Sequence, residues 1–311
     1  MPYNDAEPGG SAWDSKRAQG ITSNRPMDDG RETVVLADYG RGLLAAVDAV
    51  IERAQRTQAS LHIAQLRSEG RAHDGGAEAA LERIDRARAR GADITCDAYP
   101  YVATWIELRE LLPRGLDVTT LGDETIAAAA ALEMDARLGD IWHDVILAEV
   151  SSEERAAWCG MRFDDIGAQM RLRPSRAVIE FARLDGERAR AFYFCLSEDD
   201  VAMVLSADFT SVTCASPAFG FDDRRFGLVH PRAFGAFPRV IGRFVRGRKT
   251  LTLEEAIRRM SGPNELRADA PADLILFDEQ QFVDTATYAQ PVSAPRGLKH
   301  VWVDGILKEA R

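Results

Sequence analysis

Few side chains in this sequence have both the type and the spacing to do chemistry. Arg232 stands in His230-Pro231-Arg232. Its guanidinium stays charged at any accessible pH, and its planar fork matches a carboxylate in two parallel hydrogen bonds. Two readings follow, an anchor for a small anion or a scaffold ion pair with the acidic surface. Tyr99 and Tyr101 flank Pro100 at the end of a strand-like run. Their hydroxyls suit the same anion, and the alternative is amphipathic packing at a rim. Asp97, just before them, reads as a hydrogen-bond acceptor rather than a base. His62 and Gln65 lie three apart in SLHIAQL, so on a strand they point to opposite faces. A lone strand histidine of that kind reads as a satisfied structural residue. Asp38 is a single carboxylate, and a catalytic metal needs about three protein ligands. Cys214 has no histidine near it in sequence and reads as a buried inert thiol. Asp222 and Asp223 read as solvated loop charges.

These residues need elements to position them. ETVVLADY (32–39), SLHIAQL (60–66) and ITCDAYPY (94–101) are strand candidates. Between them GLLAAVDAVIERAQR (42–56) and AEAALERIDRARARG (77–91) carry apolar residues at helical spacing, with Gly91 suited to a left-handed cap. Such alternation implies parallel strands with right-handed crossovers. Residues 105–210 read as helix-rich and irregular, and TSVTCAS (210–216) as a further strand. In TLTLEEAIRRM (250–260), Thr252 and Glu255 have capping-box spacing. PADLILFD (271–278) and LKHVWVDG (298–305) alternate like strands of a small β unit, with Asp304-Gly305 as a turn. Residues 1–32 are rich in Gly, Pro, Asn, Asp and Ser and read as a flexible lead-in.

The chain of 311 residues carries a net charge of −10, with 46% hydrophobic residues. A sizeable core is available, and an acidic surface repels phosphate backbones, which makes nucleic acid a poor partner. Cys96, Cys159, Cys195 and Cys214 form no CxxC pair and suit reduced thiols. The first twenty residues have no apolar signal core, and no later run is long enough to span a bilayer. The expectation is a cytoplasmic protein without a membrane partner.

Several phrases in order, CDAYPYVAT (96–104), HPRAFGAFPRVIGRFVR (230–246), LTLEEAIRRMSG (251–262), ADLILFD (272–278) and FVDTATYAQPVSAPRGLKHVWVDG (282–305), resemble one family. It is the N-acyl-D-amino-acid deacylases, or D-aminoacylases, of the amidohydrolase superfamily. The resemblance runs from about 33 to 308 and covers the C-terminal two-thirds of the family's length. It implies an α/β fold: a partial (β/α)8, TIM-type, metal-dependent hydrolase barrel over 33–262 and a small β unit over 263–311. It also implies zinc-assisted hydrolysis of the amide bond of N-acyl-D-amino acids. Arg232 matches the arginine that grips the substrate's carboxylate.

The departures fall on the family's catalytic positions. Its first strand carries a His-x-His pair and a cysteine ligand follows; this chain starts too late to contain either. Val35 stands where the family's next histidine stands, in a phrase like "tHxRxEG". Gln65 occupies the ligand position of a phrase like "hisHlK". Ala215, in Thr213-Cys214-Ala215-Ser216, replaces the aspartate of "gSDG". The resemblance therefore implies zinc, while these residues imply that this chain binds none and lacks a catalytic residue set. The family's hairpin before its ADxxxFD strand is also missing at Asn264–Pro271. Two functions stand side by side: a deacylase acting on C–N bonds other than peptide bonds, or a non-catalytic paralogue that acts by binding a small carboxylate. The second includes a subunit completed by another chain. Sheet edges left open imply self-association or a companion chain.

Overall fold

The computed structural model describes residues 21–26, 30–70, 76–223, 225–261 and 272–308. In chain order its first elements are β1 (Ile21–Pro26), β2 (Glu32–Leu36), α1 (Leu43–Thr57), β3 (Leu61–Ile63), α2 (Gly76–Ala89) and β4 (Ile94–Ala98). An insertion follows, with β5 (Thr104–Glu107), α3 (Glu124–Leu138), β6 (Val145–Glu149), α4 (Phe163–Met170), α5 (Pro174–Asp185) and β7 (Arg190–Tyr193). The chain then returns through α6 (Glu198–Ser206), β8 (Thr210–Val212), α7 (Arg232–Arg239) and α8 (Leu253–Ser261). It ends in β9 (Leu274–Phe277), β10 (Leu298–Val303) and β11 (Ile306–Lys308).

The main sheet runs β1-β2-β3-β4-β8. β2, β3, β4 and β8 are mutually parallel, as the alternation of strand and helix patterns predicts. In α1 the residues Leu43, Ala46, Val47, Val50, Ile51 and Ala54 recur every three or four positions and are buried together. That stripe can be hidden only by laying the helix along the sheet. The shared core joins it to Val34, Leu36, Ile63, Ile94 and Cys96 from the strands and to Val204 and Phe244 from α6 and the turn after α7. Gly91 takes φ +93° just beyond α2, the left-handed stop expected there. Thr252 and Glu255 complete the capping box: Glu255 N–H donates to Thr252 Oγ1 at 3.2 Å and Thr252 N–H to Glu255 Oε2 at 2.8 Å.

Three expectations need correction. The end of the supposed lead-in is a strand, since β1 pairs antiparallel with β2; residues 1–20 and 27–29 lie outside the described residues. The middle is more than irregular helix. β5, β7 and β6 form an antiparallel sheet, and together with α3, α4 and α5 the insertion builds its own core around Leu147, Phe163, Ile166 and Val178. The strands here are short and buried on adjacent positions, so no alternation betrays them. Finally, β3 ends at Ile63, so Gln65 sits beyond the strand in a turn with φ +54°, and opposite strand faces do not describe its relation to His62. The boundary between barrel and β unit, and the Asn264–Pro271 segment, fall within 262–271, outside the described residues. The β unit itself is an antiparallel β9-β10-β11 meander, turned at Asp304 and Gly305, both with positive φ.

Candidate anion-binding site

α7 begins where the sequence places its one functional-looking arginine. His230 fixes that start. It is fully buried, packed edge-on against Tyr99, Tyr101, Phe192 and Tyr288. Its Nε2–H donates to the Ala103 carbonyl at 3.0 Å, and its Nδ1 accepts the backbone N–H of Arg232 at 3.1 Å. Burial first, and the Arg232 charge second, hold its pKa well below the ordinary histidine value, so the ring is neutral. Pro238 lies inside α7 and has no N–H to give, and the chain continues as a π-helical turn over Val240–Gly247. Between them, Arg239 Nε donates to the Pro100 carbonyl at 2.7 Å, and its Nη1 pairs with Asp284 at 3.0 Å. α7 is thereby clamped to the end of β4.

The clamp presents Arg232 to Tyr99. The guanidinium carbon lies 4.5 Å from the Tyr99 ring centroid, and the residue is 6% exposed. Arg232 Nε is buried without a hydrogen-bond partner among the described residues, and so is the Tyr99 hydroxyl. Burial lowers the Arg232 pKa, and among the described residues no carboxylate pairs with its guanidinium. The scaffold ion pair, one of the two sequence readings for Arg232, is therefore not what the structure holds. A buried cation and a buried hydroxyl donor, both lacking acceptors among the described residues, have the chemistry that suits an anion. Tyr101 goes elsewhere. Its hydroxyl lies 3.5 Å from the Pro231 carbonyl and 3.4 Å from Asp284, and Arg239 stacks on its ring at 4.7 Å. Its hydroxyl is thus engaged by the scaffold, while that of Tyr99 has no partner among the described residues. His230 and Arg239 are the positioning residues that sequence reasoning missed; the phrase HPRAFGAFPR contained both without showing what they hold.

The positions that the resemblance sets against the family's metal and catalytic residues lie at or just beyond strand ends. Val35 is half-buried against the core. Gln65 and Ala215 both hold left-handed backbones, at φ +54° and +46°. Gln65 N–H donates to Asp97 Oδ1 at 2.6 Å, and Ala215 N–H to Thr213 Oγ1 at 2.9 Å. His62 is satisfied at both nitrogens, by Thr95 Oγ1 at 2.8 Å and Asp97 Oδ2 at 3.0 Å. Asp97 thus spends both oxygens on β3 and the turn after it, as an acceptor. Asp38 accepts Gly40 N–H at 2.7 Å in a local turn, and Asp222 and Asp223 are exposed. Cys214 is half-buried, and all four cysteines are free thiols. Zinc wants about three converging Cys, His or carboxylate donors. Among the described residues no such group occurs, and the donors nearest to hand are already engaged, so this residue set does not fit zinc.

No protein-family model matches the sequence. The chain is 27% identical over 313 residues to an N-acyl-D-glutamate deacylase of Alcaligenes xylosoxydans xylosoxydans, covering 96% of this chain and 55% of that protein. It is 30% identical over 246 residues to an N-acyl-D-aspartate deacylase of the same organism, covering 76% of this chain and 41% of the relative. Among solved structures, N-acyl-D-glutamate deacylase of Bordetella bronchiseptica, a complex with zinc and a phosphonate inhibitor, superposes with a TM-score of 0.68 at 25% identity over 90% of this chain and 53% of that one. A D-aminoacylase structure matches in fold, with a TM-score of 0.67 at 22% identity over 88% of this chain and 52% of that one. The chain spans about half the length of the curated relatives it matches. Over most of its own length it is a relative of the N-acyl-D-amino-acid deacylases, and its fold is part of the amidohydrolase α/β barrel with a small β unit.

Proposed function

We propose that this chain binds a small carboxylate ligand of the N-acyl-D-amino-acid kind at Arg232 and does not itself hydrolyse it. One observation carries the reading: Arg232 is buried against Tyr99, and among the described residues no carboxylate pairs with it. A lone buried charge is costly, and a ligand carboxylate is the partner its fork fits best. The names of the relatives, deacylases of N-acyl-D-amino acids, supply the ligand class. Hydrolysis of that ligand would need an activated water and a proton carrier. Val35, Gln65 and Ala215 cannot supply them, while loss of that machinery leaves the anchor in place.

The competing reading is a hydrolase of C–N bonds other than peptide bonds. It draws on the left-handed backbones at Gln65 and Ala215, since such conformations cluster at working sites. The test is a titration of N-acetyl-D-amino acids into the protein as purified and, separately, after chelator treatment, with metal content and product release followed in both. Binding that survives the chelator, without turnover, supports the binding reading. Zinc at about one per chain together with turnover above background overturns it.

A further inference from the structure

Resting on Arg232 as the anchor, we infer that Tyr288, brought in by the C-terminal β unit, is a further binding residue of this site and donates its hydroxyl to the ligand carboxylate. The segment that carries it joins β9 to β10 and is laid against α7. Gly235 in α7 and Gly242 in the π-helical turn let it approach. A Cβ at Gly242 would stand 2.6 Å from Val283 Cγ2, and one at Gly235 would stand 3.1 Å from Asp284 Cβ. Asp284 pairs with Arg239 at 3.0 Å. Thr287 and Gln290 then close a turn: Thr287 N–H donates to the Gln290 carbonyl at 3.1 Å, and Gln290 N–H to Thr287 Oγ1 at 3.0 Å. Tyr288 stands inside that turn, with its ring edge-on to His230 at 5.2 Å. Tyr99 packs on the same imidazole at 6.0 Å, and Arg232 N–H donates to its Nδ1.

The orientation of Tyr288 carries the inference. A tyrosine near a surface ordinarily buries its ring and turns its hydroxyl to water. Tyr288 does the reverse. The residue is half-buried, yet its hydroxyl is buried and has no hydrogen-bond partner among the described residues. Phe192 and Phe194, with centroids at 5.2 and 4.6 Å, wall its ring with apolar groups. The Ala103 N–H bears on the Tyr288 oxygen as a donor, which leaves the hydroxyl proton unspent. Burial, and then the Tyr99 hydroxyl, push the Tyr288 pKa above the ordinary tyrosine value, so the group stays a protonated donor. Of the three tyrosines around His230, Tyr101 has its acceptors in Asp284 and the Pro231 carbonyl. The hydroxyls of Tyr99 and Tyr288 and the Nε of Arg232 remain, three buried donors without an acceptor among the described residues. A carboxylate offers about four lone-pair sites, and an amide carbonyl about half as many. The guanidinium fork fills two of the four, and two phenols suit the rest.

The test is calorimetric titration of N-acetyl-D-alanine into the full chain as purified, as wild type, Tyr288→Phe and Arg232→Ala, with the urea midpoint of each protein measured beside it. Tyr288→Phe removes one oxygen and keeps the ring. It is expected to bind the probe about tenfold more weakly than wild type. Its urea midpoint is expected to stay level or rise, since the oxygen removed is a buried group without a partner. Equal affinity in wild type and Tyr288→Phe overturns the inference and leaves the anchor standing. A Tyr288→Phe protein that unfolds earlier than wild type, or does not fold, also overturns it, because the hydroxyl would then serve the scaffold. Arg232→Ala with full affinity, or a wild type that does not bind the probe, refutes the anchor itself and the inference with it.

Discussion

The backbone N–H of Arg232 donates to Nδ1 of His230, whose Nε2–H reaches the Ala103 carbonyl. One neutral imidazole therefore ties the start of α7 to the segment that leaves β4. A protonated ring would lose the Nδ1 acceptor and place a second cation beside Arg232.

This arrangement predicts a pH dependence. Burial, and then Arg232, push the His230 pKa well below its ordinary value. As pH falls through the unfolded value of about 6.5, the unfolded chain takes up a proton and the folded chain does not. Stability is therefore full above about pH 6.5 and falls below it, by up to about 1.4 kcal/mol per pH unit for one proton. Urea midpoints between about pH 5.5 and 7.5 check this. His230→Gln, which does not titrate, is expected to flatten the slope; an equal slope in both proteins removes His230 as its source.

Arg232 is expected to trade stability for function. Its buried charge lacks an acceptor among the described residues, so Arg232→Met should raise unfolding free energy by about 0.5–2 kcal/mol in the absence of ligand. Thermal unfolding of the two proteins reads the difference. A variant less stable than wild type would show that Arg232 holds the scaffold together.

Asp97 is expected to be structural. It accepts from His62 Nε2 and from the backbone N–H of Gln65, joining β4 to β3 and to the turn after it. Asp97→Ala strands both donors and should cost about 2–4 kcal/mol in a urea titration. A loss under about 0.5 kcal/mol, the range of a neutral surface substitution, would mean that water takes over both bonds.

The parallel strands were legible because each is separated from the next by a helix with its own apolar stripe, and period and order together admit few topologies. The β5-β7-β6 sheet was not, because Arg190–Tyr193 and Val145–Glu149 are brief runs in which burial follows the inserted core instead of a two-residue alternation. At the site, Arg232 was legible by residue type and phrase. What makes it a candidate for an anion, a buried guanidinium with no carboxylate paired to it among the described residues, exists only in three dimensions. Tyr99 and Tyr101 look equivalent in sequence. They separate only because Arg239 and Asp284 claim the second. His62 was rightly read as satisfied, for a reason the sequence does not display: Asp97 and Thr95 arrive from the neighbouring strand.

The central claim is that Arg232 anchors a ligand carboxylate while the chain performs no hydrolysis. Calorimetric titration of an N-acetyl-D-amino acid into wild type and Arg232→Ala, both supplied with zinc, tests it most directly. The account predicts binding by wild type with no product formed and a loss on the order of 2–5 kcal/mol, more than about thirtyfold, in Arg232→Ala. Equal affinity in the two proteins would contradict it.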